Sequence, residues 1–263
     1  MANRPLIIGH RGASAVAPEN TLISFSRAVE VGADGVEFDV RLARDGVPVV
    51  IHDETLRRTA LMPQRVADLS AAELQQLNVG SWFSRSRRVR TDQLAVETIP
   101  TLQQLFDLFA DNSALLYLEM KCDPNERLQL AAECCRLVAE CSLHERVIVE
   151  CFDLKALETV KAIDPGIRTA ALFEPTLSTP HSLLAGQRLI DRAKSIAADE
   201  IALHFRLAGD RVVEKAKRAG FQVVVWTVDD PGWVQRAHRL GIDALITNDP
   251  ALMRQQHDQL RPD

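Results

Sequence analysis

The stretch Gly35-Val36-Glu37-Phe38-Asp39-Val40-Arg41-Leu42-Ala43-Arg44-Asp45-Gly46-Val47-Pro48-Val49-Val50-Ile51-His52-Asp53 reads as two extended segments joined by a turn. In the first segment Glu37 and Asp39 alternate with Val36, Phe38 and Val40. Period-two geometry puts both carboxylates on one face of a strand and the apolar residues on the other. Asp45-Gly46 signals a two-residue hairpin; if Arg44 faces Val47, Asp39 stands opposite His52. Similar short, β-branched runs recur at residues 6–9, 115–119, 146–151, 167–172, 201–203, 222–227 and 243–247. Helix-period stretches fall at 21–31, 102–109, 127–141, 156–163, 183–196, 211–219 and 232–240. Gly32, Gly220 and Gly241 follow three of them as C-cap candidates, and Asp230-Pro231 opens the last of these.

Strand and helix in alternation predict a parallel sheet with helical crossovers. Eight such units in about 250 residues match an α/β fold of the closed (β/α)8 TIM-barrel type. Residues 1–263 are read as a single barrel domain. The interval between the second and third barrel strands is out of scale. Residues of about 54–100, with a short helical piece at 71–77, read as a small cap insertion after the second strand.

The chain carries 31 Lys+Arg against 36 Asp+Glu, a net charge of −5, with 46% hydrophobic and 25% charged residues. These values exclude collagen-like, coiled-coil and disordered classes. A mildly acidic chain lacks the basic footprint of nucleic-acid binding, so an anionic ligand must be drawn by local charge. The N-terminus shows no signal-peptide pattern, and no run of about 20 apolar residues can span a bilayer. Neither a nucleic-acid partner nor stable membrane association is expected. Five cysteines without a Cys-x-x-Cys pair read as reduced thiols, which predicts a cytoplasmic location.

Ionisable residues collect at strand ends. His10 and Arg11 close the first strand, Glu37 and Asp39 share a face of the second, and Glu119 and Lys121 do so at the end of the third barrel strand. His52 returns on the hairpin. In a parallel barrel the C-terminal strand ends form one mouth, where active sites sit. Three converging carboxylates repel one another and raise each other's pKa unless a hard divalent cation joins them. Oxygen-only ligands suit Mg²⁺ or Ca²⁺, and zinc would recruit the imidazoles. Two histidines left off the metal remain available for proton transfer. With Arg11 and Lys121 facing an anion, that set matches phosphodiester cleavage.

At these residues the sequence closely resembles the glycerophosphodiester phosphodiesterase family, in its small bacterial cytosolic form. The resemblance is carried by Gly9-His10-Arg11-Gly12, Pro18-Glu19-Asn20-Thr21, Glu37-Phe38-Asp39, His52-Asp53 and Glu119-Met120-Lys121. It continues through Cys151-Phe152-Asp153, Trp226-Thr227-Val228 and Ile246-Thr247-Asn248. It implies one divalent cation, Mg²⁺ or Ca²⁺, on Glu37, Asp39 and Glu119, with His10 and His52 as acid and base. It further implies phosphate contacts from Arg11 and Lys121, Phe152 and Trp226 along the glycerol side, and Glu19 orienting the first loop. The implied substrate is a small glycerophosphodiester, such as glycerophosphocholine or glycerophosphoethanolamine, cleaved to glycerol 3-phosphate and an alcohol. The chain departs from the family at Asp229, where Asn is common, and at Glu150-Cys151, where small or hydroxyl residues are usual.

Rival readings are a lysophospholipase D or phosphoinositol-type diesterase on the same barrel, and a catalytically silent phosphodiester-binding barrel. Glu119 with Lys121 also fits a structural ion pair. His204 follows a strand near the mouth and is a candidate for substrate contact, whereas His144, His181, His238 and His257 read as solvated or capping. Arg85, Arg87, Arg88 and Arg90 read as a solvated loop, Trp82 and Phe83 as anchors of the cap, and the cysteines of 127–141 as core packing.

Overall fold

Period-two alternation and helical punctuation generate the architecture directly. A computed structural model describes residues 4–83, 96–175 and 183–259. Its strands are β1 (Leu6–His10), β2 (Gly35–Leu42), β3 (Pro48–Val50), β4 (Leu115–Met120), β5 (Val147–Cys151), β6 (Arg168–Phe173), β7 (Glu200–His204), β8 (Gln222–Trp226) and β9 (Ala244–Thr247). All except β3 pair in parallel in the order β1-β9-β8-β7-β6-β5-β4-β2. The ring closes where Ile8, Gly9 and His10 register with Gly35, Val36 and Glu37. This is the predicted eight-stranded barrel.

The helices are α1 (Leu22–Glu30), α2 (Ala71–Leu74), α3 (Leu102–Leu108), α4 (Arg127–Glu140), α5 (Leu154–Ile163), α6 (Leu183–Ser195), α7 (Asp210–Arg218), α8 (Gly232–Leu240) and α9 (Pro250–Gln259). Thr21 accepts the Ser24 N–H at the start of α1, and Thr101 forms a capping box with Gln104 at α3. Gly32, Gly220 and Gly241, the predicted C-caps, all have positive φ. α9 was not anticipated. It follows β9 across Asn248 and Asp249, and buries Met253 and His257. The expectation that His257 is solvated or capping is thereby corrected, because the helix turns its ring inward at 6% exposure. His144 pairs with Asp164 at 2.8 Å, and His238 is exposed. His181 lies outside the described residues.

The two faces of each strand carry two cores. Val36, Phe38, Leu116, Leu118, Val149, Ile201 and Val225 point outward into the layer shared with the helices, which also holds Cys134 and Cys135. Ile8, Tyr117, Ile148, Ala170, Leu172, Ala202, Val224 and Ile246 pack inside the barrel. Each interior position alternates with an exterior one, so Glu37, Asp39, Glu119 and Glu150 necessarily share the inner side. The apolar layer formed by Tyr117, Ile148 and Ala170 forms the floor on which those carboxylates stand.

The hairpin differs from its predicted register by one residue. β2 pairs with β3 through Val40–Val50, Arg41–Val49 and Leu42–Pro48, and the Ile51 N–H donates to the Asp39 carbonyl at 2.9 Å. Asp39 therefore stands opposite Ile51, not His52. A two-residue type I′ loop needs positive φ at both Asp45 and Gly46. Only Gly46 adopts it, at 78°. The chain makes a three-residue loop instead, with Gly46 N–H to Ala43 O and Ala43 N–H to Val47 O. His52 reaches the mouth from the segment beyond the strand.

That segment continues into residues 54–83 and 96–100. Their apolar side chains Leu56, Val66, Leu74, Val79 and Ile99 pack with Val49 and Ile51 of the hairpin. Phe83 and Trp82 pack with Ala17 and Ile23, tying the segment to the loop that follows β1. The Arg85, Arg87, Arg88 and Arg90 cluster lies outside the described residues.

The loop after β1 is conformationally demanding. Arg11 adopts φ +53° and Gly12 +85°. A Cβ on Gly12 would also collide with the backbone of Ser24. Gly12→Ala is accordingly expected to lose about 1–3 kcal/mol or more of stability, since unfavourable φ and a backbone clash coincide. Urea unfolding checks this; a midpoint equal to the wild type would exclude strain at this position.

Candidate active site

Interior alternation ends at the mouth in a cavity of about 380 Å³. His10, Arg11, Glu37, His52, Glu119 and Lys121 line it together with Phe152 and Trp226. Asp39, with no solvent exposure, lies beneath. These nine side chains therefore come to one place, although β1, β2, β4, β5 and β8 and the hairpin each supply a share.

Carboxylate oxygens of Glu37, Asp39 and Glu119 lie within 4.8 Å of one another. Glu37 Oε1, Asp39 Oδ1 and Glu119 Oε1 are buried and accept no well-formed hydrogen bond. Two of them face Lys121 Nζ, Asp39 Oδ1 at 3.2 Å and Glu119 Oε1 at 2.5 Å. The Glu119–Lys121 ion pair expected as a rival reading thus exists, but Lys121 is shared with Asp39 and sits at the cavity wall. Burial, reinforced by Asp39 and Glu119, pushes the Glu37 carboxyl well above the usual range. Burial pushes Glu119 up to about 7 against the pull of Lys121. Burial also acts upward on Asp39, but Arg11 and Lys121 outweigh it and hold that carboxyl below the ordinary value. Three crowded, hard carboxylates, with Glu37 Oε1 lacking a hydrogen-bond donor and Asp39 Oδ1 and Glu119 Oε1 sharing the Lys121 ammonium, fit one divalent cation.

The two imidazoles have different partners. Asn248 presents Oδ1 to His10 Nδ1 at 2.7 Å. Its orientation is set from behind, because Nδ2 donates to Asp229 Oδ2 at 2.7 Å and a carboxylate can only accept. Asp229 Oδ1 also accepts the Asn248 N–H and the Thr247 hydroxyl, and Ser14 donates to Asn248 Oδ1. His10 Nδ1 must therefore carry the hydrogen, leaving an Nε2 lone pair on the Glu37 side at 3.8 Å. Burial and the Arg11 charge lower the His10 pKa to about 4. His52 instead donates Nδ1–H to a carboxylate, Asp53 Oδ1, at 2.7 Å. Burial lowers the His52 pKa as well.

One ion-pair chain links the two loops that carry these rings. Arg11 donates to Glu19 Oε1 at 2.8 Å and meets Asp39 Oδ2 at 3.1 Å. Glu19 accepts two bonds from Arg58, and Arg58 donates two more to Asp53. Asn20 donates to Asp39 Oδ2 at 2.8 Å from φ +57°, and the Arg11 N–H donates to Glu37 Oε2 at 3.0 Å. The strained first loop is held by the same carboxylates that line the site.

Comparison with known proteins decides the family. The model of the Glycerophosphoryl diester phosphodiesterase family matches residues 10–252. The chain belongs to that family. A glycerophosphodiester phosphodiesterase of Caldanaerobacter subterraneus subsp. tengcongensis is 33% identical over 250 residues, covering 94% of this chain and 95% of its own. The structure of an Oleispira antarctica phosphodiesterase in complex with its product sn-glycerol-3-phosphate superposes with a TM-score of 0.84. It is 27% identical, and each chain is covered to 97%. A glycerophosphodiester phosphodiesterase of Thermotoga maritima has a TM-score of 0.72 at 27% identity, with 97% of this chain and 99% of that one covered. This family member is accordingly an enzyme of the phosphoric diester hydrolase class. Among its described residues no helix is long and apolar enough to cross a membrane.

Within this phosphodiesterase fold, several site residues were not anticipated. Asn248 ends the Ile246-Thr247-Asn248 motif and Asp229 directly follows Trp226-Thr227-Val228, but only the barrel closure brings them behind His10. Arg58 lies in the weakly patterned insertion, where no periodicity marks it. Arg41, third in the Glu37–Asp39 alternation, was legible by spacing. It donates Nε–H to the His52 carbonyl at 2.8 Å and lines the cavity. Phe152 and Trp226 meet edge to face with centroids 5.5 Å apart, and Lys121 Nζ lies 5.7 Å from the Phe152 ring. His204 packs behind Trp226, at 5.2 Å between centroids, and against Phe205.

Proposed function

We propose that the enzyme hydrolyses small glycerophosphodiesters, such as glycerophosphocholine and glycerophosphoethanolamine, to glycerol 3-phosphate and an alcohol. The observation that carries this reading is a cluster of three buried carboxylates flanked by two imidazoles in one cavity. Glu37, Asp39 and Glu119 would hold one Mg²⁺ or Ca²⁺, which neutralises phosphoryl oxygens as charge develops on them. Arg11 and Lys121 contribute fixed positive charge at the same wall. His10, neutral and with Nε2 unprotonated, is the general base that takes the proton of the attacking hydroxyl. His52, whose Asp53 partner favours an imidazolium, is the acid that protonates the departing alkoxide. Phe152 and Trp226 take up the apolar face of the glycerol backbone, and Glu19 fixes Arg11. Residues 54–83 and 96–100 would serve as a cap on a single barrel domain. Five cysteines, none in a disulfide, support a cytoplasmic location.

Glycerol 3-phosphate release from a panel of head-group diesters, with Mg²⁺, Ca²⁺ or EDTA, tests this. Faster turnover of an acyl-bearing lysophospholipid would move the assignment to a lysophospholipase D, and of a phosphoinositol diester to that class. Binding without turnover would make it a silent barrel. The orientation of His10 has its own consequence. Asn248→Leu is expected to lower kcat by about 10–100-fold, as loss of a partner orienting a functional His does elsewhere, with KM little changed. An unaltered kcat would remove Asn248 from the mechanism.

A further inference from the structure

Two carboxyls of the cavity wall are left unused by the reaction above, the exposed Glu174 and the buried Glu150. Period-two alternation on β5 puts Glu150 on the inner side with Ile148 below and Phe152 above. Its register partners are Glu119 on β4 and Ala170 on β6. It therefore stands one strand beyond the candidate metal ligands, at the edge of the apolar floor. It is 2% exposed, lines the cavity, and its Oε2 has no hydrogen-bond partner. Lys121, on the same wall, is engaged by Asp39 and Glu119. A buried carboxyl oxygen without a partner costs stability, and a hydrogen-bond donor on a ligand restores it.

The identity of the donor rests on the glycerophosphodiester reading. The phosphate offers no donor, and the head group departs toward solvent. Glycerol carries two hydroxyls. The one next to the phosphoester carbon stays with the phosphoryl group on the His10 and metal side. The terminal hydroxyl projects farther along the wall, past the Phe152–Trp226 pair that covers the carbon chain. We propose that Glu150 is a specificity residue that accepts a hydrogen bond from the terminal hydroxyl of the glycerol moiety. The chain then distinguishes glycerol diesters from diesters of shorter or less hydroxylated alcohols at a position where the family commonly has small or hydroxyl residues.

The test compares kcat/KM for glycerophosphoethanolamine with that for an analogue in which propane-1,2-diol, esterified at its primary carbon, replaces glycerol. That analogue keeps the hydroxyl beside the phosphate and lacks only the terminal one. Wild-type enzyme should prefer the glycerol diester by about tenfold or more, because a site built for a hydroxyl is left unpaired by the analogue. Glu150→Leu should bring the two values within about threefold of each other, and Glu150→Gln, which retains an acceptor, should keep most of the preference. Equal turnover of both diesters by the wild type would overturn the proposal without recourse to any variant. So would a Glu150→Leu enzyme that keeps the preference, or one whose change follows the head group instead of the glycerol. Failure of the wild type to cleave either diester would overturn the glycerophosphodiester reading itself, and the role of Glu150 with it.

Discussion

His10→Ala and His52→Ala should each reduce kcat by about 10²–10⁴, the usual worth of a positioned acid or base. The two losses should differ in their dependence on the leaving group. His10 is tied through Asn248 to Asp229, an arrangement that fixes its tautomer while an amide, not a carboxylate, touches the ring. Such a ring stays neutral and accepts a proton. His52 touches Asp53 directly, and a carboxylate partner stabilises the imidazolium needed to donate one. A nitrophenyl ester leaves without protonation. His52→Ala should therefore recover most of its activity on a glycerol nitrophenyl diester, whereas His10→Ala should not. Steady-state kinetics with alkyl and nitrophenyl leaving groups resolves the matter. The reverse pattern would exchange the two roles, and wild-type turnover in both variants would end the acid–base scheme.

Chelation is expected to have the other large effect. Removal of the divalent cation with EDTA should cut turnover by about 10³ or more, given several kcal/mol of charge stabilisation at roughly 1.4 kcal/mol per decade. Glu37→Gln should weaken metal affinity by more than the roughly 10–100-fold cost of a lost outer partner. Metal dependence also carries a pH signature. The folded pKa values of Glu37 and Glu119 are raised, that of Glu119 to about 7. A carboxyl raised in the folded state gives its full stability below the unfolded value of about 4.3 and loses it as pH rises through the folded value. Asp39, held low by Arg11 and Lys121 against its burial, acts oppositely and withdraws stability only as pH falls through the acid range. The metal-free protein should therefore lose stability as pH rises from about 4.5 through the Glu119 value of about 7, with Glu37 acting in the same direction. A cation that binds their ionised forms should raise the melting temperature more at pH 8 than at pH 5.5. Calorimetry at the two pH values, with and without Ca²⁺ or Mg²⁺, reads this directly. A metal-induced shift that is larger at pH 5.5, or a Glu37→Gln metal titration equal to the wild type, would remove these carboxylates as ligands.

The barrel was legible because its signal is local. Val36, Phe38 and Val40 against Glu37 and Asp39 state the two faces of a strand within five residues, and short apolar, β-branched runs mark the other barrel strands. Capping by Thr21 and Thr101 and the glycines after α1, α7 and α8 are equally short-range. Where the reading went astray, a longer-range term intervened. Asp45-Gly46 suits a two-residue loop by composition, yet the lower strain of placing only Gly46 at positive φ selected a three-residue loop and shifted the register by one. His257 looked solvated because the helix that buries it follows two residues of connection after β9 and has little amphipathic contrast of its own.

By itself, then, the amino-acid order determined the number of barrel strands, the shared face of Glu37 and Asp39, and from the strand-end positions that Glu37, Asp39, Glu119, His10 and His52 meet at one mouth. Those facts depend on backbone periodicity and the handed closure of a parallel sheet, which act over a few residues at a time. Only the tertiary structure decided the partners behind the site: Asn248 and Asp229 on His10, Arg58 between Glu19 and Asp53, and Glu150 beside Glu119 without a donor. Such contacts join residues up to 238 positions apart. Their geometry is set by the tilt and stagger of the closed barrel and by how the insertion settles on it, quantities to which no single stretch of the chain refers.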